Sequence, residues 1–204
     1  MELIFHTPLR PSLQIPGKSM NTILLHTCCA CCASYVIPHL QDRYIVKNLF
    51  FNPNIHPMEE YNIRLSEMKL VSEHFGTVLE YGKCRPELWN KAVAPYRHLP
   101  ERSRRCWECY HLRLEETAKK ASELGIEFFT TTLSVSPHKI YRKILEAGRI
   151  AAEKYGIQFH EEDFKKKNGF KLSVEKSREL GLTRQDYCGC ILSLREAEKR
   201  RNRT

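Results

Sequence analysis

No stretch of the 204 residues reaches the roughly eighteen consecutive apolar side chains that a membrane-crossing helix needs. The opening MELIFHTPLRPSLQIPGK lacks the basic start, the apolar run and the small-residue cleavage site of a secretory leader. A cytoplasmic protein with no membrane association is therefore expected. Glycine is missing from the whole segment Thr27 to Ser34. An ATP-using enzyme of this layout needs a Gly/Ser-rich phosphate loop there, which argues against nucleotide activation. Internal repeats, low-complexity blocks and Gly/Ser-rich linkers are also missing. Residues 21–204 thus read as one domain, preceded by an arm over residues 1–20 that carries three prolines and no hydrophobic period.

Apolar residues make up 42% of the chain, enough to bury a core. The 33 Lys and Arg outnumber the 24 Asp and Glu, for a formal charge of +9. Cations gather at Arg97–Arg105 (RHLPERSRR), Lys165–Lys171 (KKKNGFK) and Lys199–Arg203 (KRRNR). Each patch alone suits a solvated surface, and together they suit a polyanion such as RNA or DNA. Tyr96, Phe164 and Phe170 lie among them and have the chemistry to stack on splayed bases.

Strand-like and helix-like runs alternate along the chain. Asn21–His26 reads as a buried strand leading into the helix-like TCCACCASYVIPHL; Tyr44–Phe51 is a second strand, followed by the loop NPNIHP and a helix over Met58–Phe75. Val78–Tyr81 reads as a strand, then YGKCRPELW and PYRHLPE as loops. Cys106 opens a helix that ends at Gly125, and Phe128–Leu133 is a β-branched strand. A helix starting at Ser136 or Pro137 ends at Gly156, Gln158–His160 is a short strand, and the chain from about Ser173 is helical. This alternation predicts an α/β fold: a mainly parallel sheet with helices on both faces and a helical C-terminal part.

Nine cysteines in a reducing compartment point to metal binding or redox chemistry rather than structural disulfides. Cys28, Cys29, Cys31 and Cys32 fall within five residues, between a strand and a helix. Open α/β sheets place ligands there, and helix N-termini favour thiolates. Cys106 and Cys109 form a C-x-x-C pair at another helix start, so four thiolates become available for zinc or a [4Fe-4S] cluster. An adjacent pair with a C-x-x-C is unlike the two matching knuckles of a zinc ribbon, which favours iron and sulfur. Cys188-Gly189-Cys190 is a different device. A disulfide across one glycine closes a strained and hence labile ring, and the following helix is expected to lower the thiol pKa. Cys84 stands alone and suits core packing or a surface thiol.

Taken in order, LLHTCCACCASYV, FFNPNIHPMEEYNIR, CWECYHLRL, TTLSVSPHK and DFKKKNGFKLSVEKSRELGLTRQDYCGCILS resemble the QueH family of epoxyqueuosine reductases, over about Thr22 to Leu194. The family pattern has proline where this chain has Cys31. The resemblance implies a Rossmann-like fold, related to HUP and ATP-pyrophosphatase domains, with cysteines in place of the phosphate loop. It implies cobalamin-independent reduction of epoxyqueuosine to queuosine at the tRNA wobble position. Cys28, Cys29, Cys106 and Cys109 would hold a [4Fe-4S] cluster, Cys188 and Cys190 would form a redox-active pair, and Cys32 would be a reserve ligand. The partners implied are tRNA carrying epoxyqueuosine and a separate electron donor. An additional iron held by Cys32, His26 or Asp163 is one way to polarise the epoxide oxygen, and Tyr187 is a candidate proton donor. Two other readings stand beside this one: a zinc-stabilised RNA-binding module without catalysis, and a tRNA sulfur-transfer enzyme, which the missing phosphate loop disfavours.

Overall fold

A computed structural model describes residues 20–202. The arm expected over residues 1–20 lies outside this range except for Met20. Five strands form one parallel sheet: β1 (Thr22–His26), β2 (Ile45–Phe50), β3 (Val78–Tyr81), β4 (Phe128–Thr131) and β5 (Gln158–Phe159), in the order β3-β2-β1-β4-β5. β1 pairs with β2 from Thr22↔Ile45 and with β4 from Ile23↔Phe128. The helices are α1 (Ala30–Gln41), α2 (Met58–His74), α3 (Pro86–Val93), α4 (Arg104–Glu123), α5 (Tyr141–Tyr155), α6 (Gly169–Glu179) and α7 (Ile191–Arg201). The chain runs outward from β1 to β3 and returns to place β4 on the other side of β1. The winding therefore reverses at β1, and a crevice opens beyond the carboxyl ends of β1 and β4.

Period-two alternation in β1 sorts its side chains between two cores. Ile23 and Leu25 pack with Val36, Ile37 and Leu40 of α1 and Met68 and Val71 of α2, whereas Leu24 packs with Leu114 and Ala118 of α4 and Ile144 and Ala147 of α5. With both faces covered, the middle of β1, Ile23–Leu25, is apolar without a break. The expected Rossmann-like α/β fold is the observed one. Among the described residues no helix is long and apolar enough to cross a membrane.

Three local readings change. The segment read as a loop at RPELW forms α3, because Pro86 suits a first helical turn and Trp89 and Val93, one turn apart, bury against α4. α5 begins at Tyr141 rather than at Ser136 or Pro137. The Ser136 hydroxyl accepts from His138 N–H (3.3 Å) and its carbonyl accepts from Lys139 N–H (3.2 Å), so a serine-led turn takes residues the helical spacing had claimed. The C-terminal part is two helices, and residues 181–190 between them have no regular structure.

Candidate active site

The loop after β1 is pinned from two sides. Thr27 N–H donates to the Leu49 carbonyl (2.9 Å), while Asn52 Nδ2 donates to the Thr27 carbonyl (2.8 Å). Cys28 and Cys29 follow at once, and the Cys28 N–H and Sγ lie 3.4 and 3.7 Å from Thr132 Oγ1, just past β4. These residues open onto a cleft of about 520 Å³ at the sheet's switch point, lined by Cys28, Cys29, Cys32, Arg64, Lys139 and Cys188 among others. Cys106 and Cys109 occupy the first two turns of α4, with Cys106 Sγ accepting from Arg102 N–H at 3.3 Å. They line a second hollow, of about 20 Å³, together with Cys188, Cys190 and Asn54. Cys188 borders both spaces. The three cysteine motifs, up to 162 positions apart between Cys28 and Cys190, thus meet around adjoining cavities.

Both thiols of the C-G-C segment are free. Gly189 has φ +114°, and a Cβ there would stand 3.1 Å from Arg64 Nη1 and 3.3 Å from Ile55 Cγ1. Glycine is required for both reasons. The Gly189 carbonyl accepts from His56 N–H at 2.7 Å, which ties this segment to the loop after β2. Cys190 caps α7: its Sγ accepts from Ser193 N–H at 3.3 Å.

Burial overrides the thiol acidity expected at helix starts. It pushes Cys106 up to about 12 and Cys109 up to about 11, and, with the charge of Cys188, it raises Cys190. Cys28 is raised by a hydrogen bond with Cys29 and by burial. For Cys29 the bond with Cys28 acts downward, but the bond with Cys32 and burial prevail. A helix N-terminus contributes about 0.3–1 kcal/mol, less than one pKa unit, against several units for burial.

Other residues singled out from the sequence are engaged elsewhere. His26 is buried, its Nδ1 bonded to Thr131 Oγ1 (2.9 Å) and its Nε2 to the Phe51 carbonyl (3.2 Å); burial first and Arg113 second lower its pKa to about 3. Asp163 stands 3.2 Å from Lys165. Neither lines the cleft. Tyr187 does line it, but its hydroxyl donates to the His56 carbonyl at 2.6 Å and burial pushes its pKa up to about 12. That bond already uses the proton a donor would deliver. Cys31 Sγ turns to the Thr183 carbonyl (3.3 Å), and Cys84 packs against the α1–α2 core.

The donor set fits a thiolate-bound cluster by charge. Arg64 and Arg113, both buried beside the cysteine motifs, each have an Nη2 without a hydrogen-bond partner. Guanidinium groups never lose their proton; Arg64 is matched by Glu60 at 2.6 Å, whereas Arg113 has no carboxylate partner among the described residues. Among the described residues no three Cys, His, Asp or Glu side chains stand close enough to grip a single metal ion. The thiols are instead spread over two adjoining hollows.

A family model described as "Epoxyqueuosine reductase QueH" matches residues 23–196. The chain belongs to this family. Its relatives include proteins named epoxyqueuosine reductase QueH from Thermotoga maritima (39% identical, covering 89% of this chain and 94% of the relative), Streptococcus pyogenes serotype M1 (35%; 83% and 69%) and Histophilus somni (35%; 95% and 81%). The family match includes every cysteine motif and three further cleft or core cations that sequence reasoning passed over: Arg64, Arg113 and Lys139. Lys139 is half-buried in the cleft. Burial alone would lower its pKa, but the thiols it faces, Cys188 and Cys28 first, reverse this and raise it. The available signal was position: Arg113 lies one helical turn past Cys109, and Lys139 closes the quoted TTLSVSPHK motif.

Proposed function

We propose that this chain reduces epoxyqueuosine to queuosine at the wobble position of tRNA, without cobalamin, using a [4Fe-4S] cluster on Cys28, Cys29, Cys106 and Cys109 and a Cys188/Cys190 dithiol. The observation that carries this reading is the convergence of three cysteine motifs on two adjoining hollows at the sheet's switch point, with Cys188 bordering both. Membership of the family supports the substrate.

Deoxygenating an epoxide breaks two C–O bonds, forms C=C and releases water, and it consumes two electrons and two protons. The cluster, when bound, supplies electrons one at a time. Oxidation of two thiols to a disulfide releases two electrons and two protons, so the Cys188/Cys190 pair matches the stoichiometry of one turnover. Cys188 borders the cleft and is the member placed to meet substrate; Cys190 completes the pair from behind. The Lys139 ammonium faces the same space and can donate a proton to the departing oxygen. A separate electron donor restores the dithiol.

The cleft mouth also suits an RNA loop. Arg184 is exposed there with its guanidinium 5.8 Å from the ring of Phe170, a cation and a stacking surface side by side. Binding of tRNA should weaken with salt, and Arg184→Ala should reduce the salt slope by about one.

The deciding experiment is anaerobic incubation of the reconstituted protein and a reductant with epoxyqueuosine-containing tRNA. Conversion by the wild type, with loss of turnover in Cys188→Ser, is expected. A colourless protein that binds tRNA and holds only zinc would favour the structural module instead.

A further inference from the structure

Arg113 is 1% exposed at the middle of α4. Its Nε donates to the Cys109 carbonyl at 3.0 Å and its Nη1 lies 3.5 Å from Asn52 Oδ1. Asn52 in turn holds the Thr27 carbonyl, at the peptide leading into Cys28. One guanidinium therefore spans the two cysteine motifs assigned to the cluster.

Its lack of a counter-charge sets it apart from its neighbours. The other two buried arginines among the described residues have acids: Arg64 pairs with Glu60 at 2.6 Å and Arg105 with Glu196 at 2.8 Å. Among the described residues no carboxylate pairs with Arg113, and its Nη2 has no partner. The titratable side chains that face it are Cys109, Cys28, Cys188 and Tyr110, the last with its ring centroid 5.9 Å from the guanidinium carbon. A buried cation left unpaired is strongly destabilising, and a guanidinium cannot relieve this by deprotonating.

We infer that Arg113 is the built-in counter-cation of the thiolate-bound cluster, a positioning residue that joins its two cysteine motifs and raises its reduction potential. The inference rests on the cluster reading above. Reduction adds negative charge to a thiolate-bound cluster, and a buried cation alongside favours the reduced form. Net charge and hydrogen bonds to the sulfurs are the levers a protein holds over such a potential. Arg113 supplies the first, and its bare Nη2 is free to supply the second.

The test uses the full chain, reconstituted anaerobically, as wild type, Arg113→Met and Arg113→Lys. Iron and acid-labile sulfide are counted, and the midpoint potential is read by spectroscopically monitored titration. The Met variant should keep its cluster but shift to a lower potential. At the wild-type midpoint its reduced-to-oxidised ratio should fall about tenfold, or about 59 mV for one electron, while the Lys variant stays within about threefold of wild type. Apo Arg113→Met should unfold no earlier than the apo wild type and gain less stability on reconstitution. A folded Met variant that loses the cluster while Lys keeps it supports the same role. Unchanged potential in Met, equal shifts in both variants, loss of the cluster in both, or an apo Met variant that fails to fold overturns it. A wild type that takes up no iron and sulfide removes the cluster reading itself, whereas a wild-type cluster indifferent to Arg113→Met removes only this inference.

Discussion

Cys188 and Cys190 are two residues apart yet sit in different surroundings. Cys188 borders the 520 Å³ cleft, whereas Cys190 is 9% exposed and serves as the cap of α7. A dithiol whose members differ in access should react in order. Alkylation of the native protein followed by mass spectrometry should label Cys188 well before Cys190, and earlier labelling of Cys190 would contradict the assignment. Cys188→Ser and Cys190→Ser should each lower turnover by about 100-fold or more, while Cys84→Ser, packed against the α1–α2 core, should stay within about twofold.

Gly189→Ala tests the backbone between them. The substitution meets a positive φ of +114° and the approach of Arg64 Nη1 to 3.1 Å, two independent penalties. A loss of about 1–3 kcal/mol is expected in denaturant unfolding. An unchanged midpoint would mean that the 188–190 segment relaxes freely, and the case for a constrained dithiol would fall with it.

Away from the cleft, Glu162 links α1 to the segment after β5, accepting from His39 (2.6 Å), Arg43 (2.8 Å) and His160 (2.9 Å). Partial burial would raise its pKa, yet these three partners lower it to about 2. The unfolded chain, with an ordinary glutamate near 4.5, binds more protons between these values. Stability from Glu162 is therefore complete above about pH 4.5 and lost as pH falls toward 2. With its side chain 28% exposed, solvent screening leaves about 1 kcal/mol at neutral pH. Glu162→Gln should cost that much at pH 7 and progressively less in urea titrations below pH 4.

The parts of the site that were legible in the sequence are those with local signatures. Strand-to-helix punctuation located the loop at Cys28 and Cys29, and the C-x-x-C spacing located one turn of α4, because both depend on neighbours within a few residues. Arg113 was not legible. An arginine on a helix is ordinarily a solvated residue, and only the packing of α4 against β1 and β4 makes this one buried and unpaired. Helix-start acidity failed for the same reason: the dipole is local and readable, but the burial that outweighs it is tertiary. α3 was misread because proline and charge signal a loop until Trp89 and Val93 have something to pack against.

Lys139 owes its place to the turn that delays α5. Had the helix begun at Ser136, residue 139 would lie within its first turn; instead the Ser136–Ile140 turn leaves it in the cleft, facing Cys28, Cys32 and Cys188. A cation there serves either the departing oxygen or the RNA backbone, and kinetics separate the two. Transfer of a proton in the transition state predicts that Lys139→Met lowers kcat by about 100-fold with little change in KM, because the lost interaction exists only as the C–O bond breaks. Lys139→Arg should also be slow, since a guanidinium retains charge but does not give up its proton. A phosphate contact predicts the reverse: a raised KM, an intact kcat and rescue by arginine. Single-turnover rates on saturating epoxyqueuosine-containing tRNA decide between them, and a normal rate in Lys139→Met would remove this residue from the chemistry.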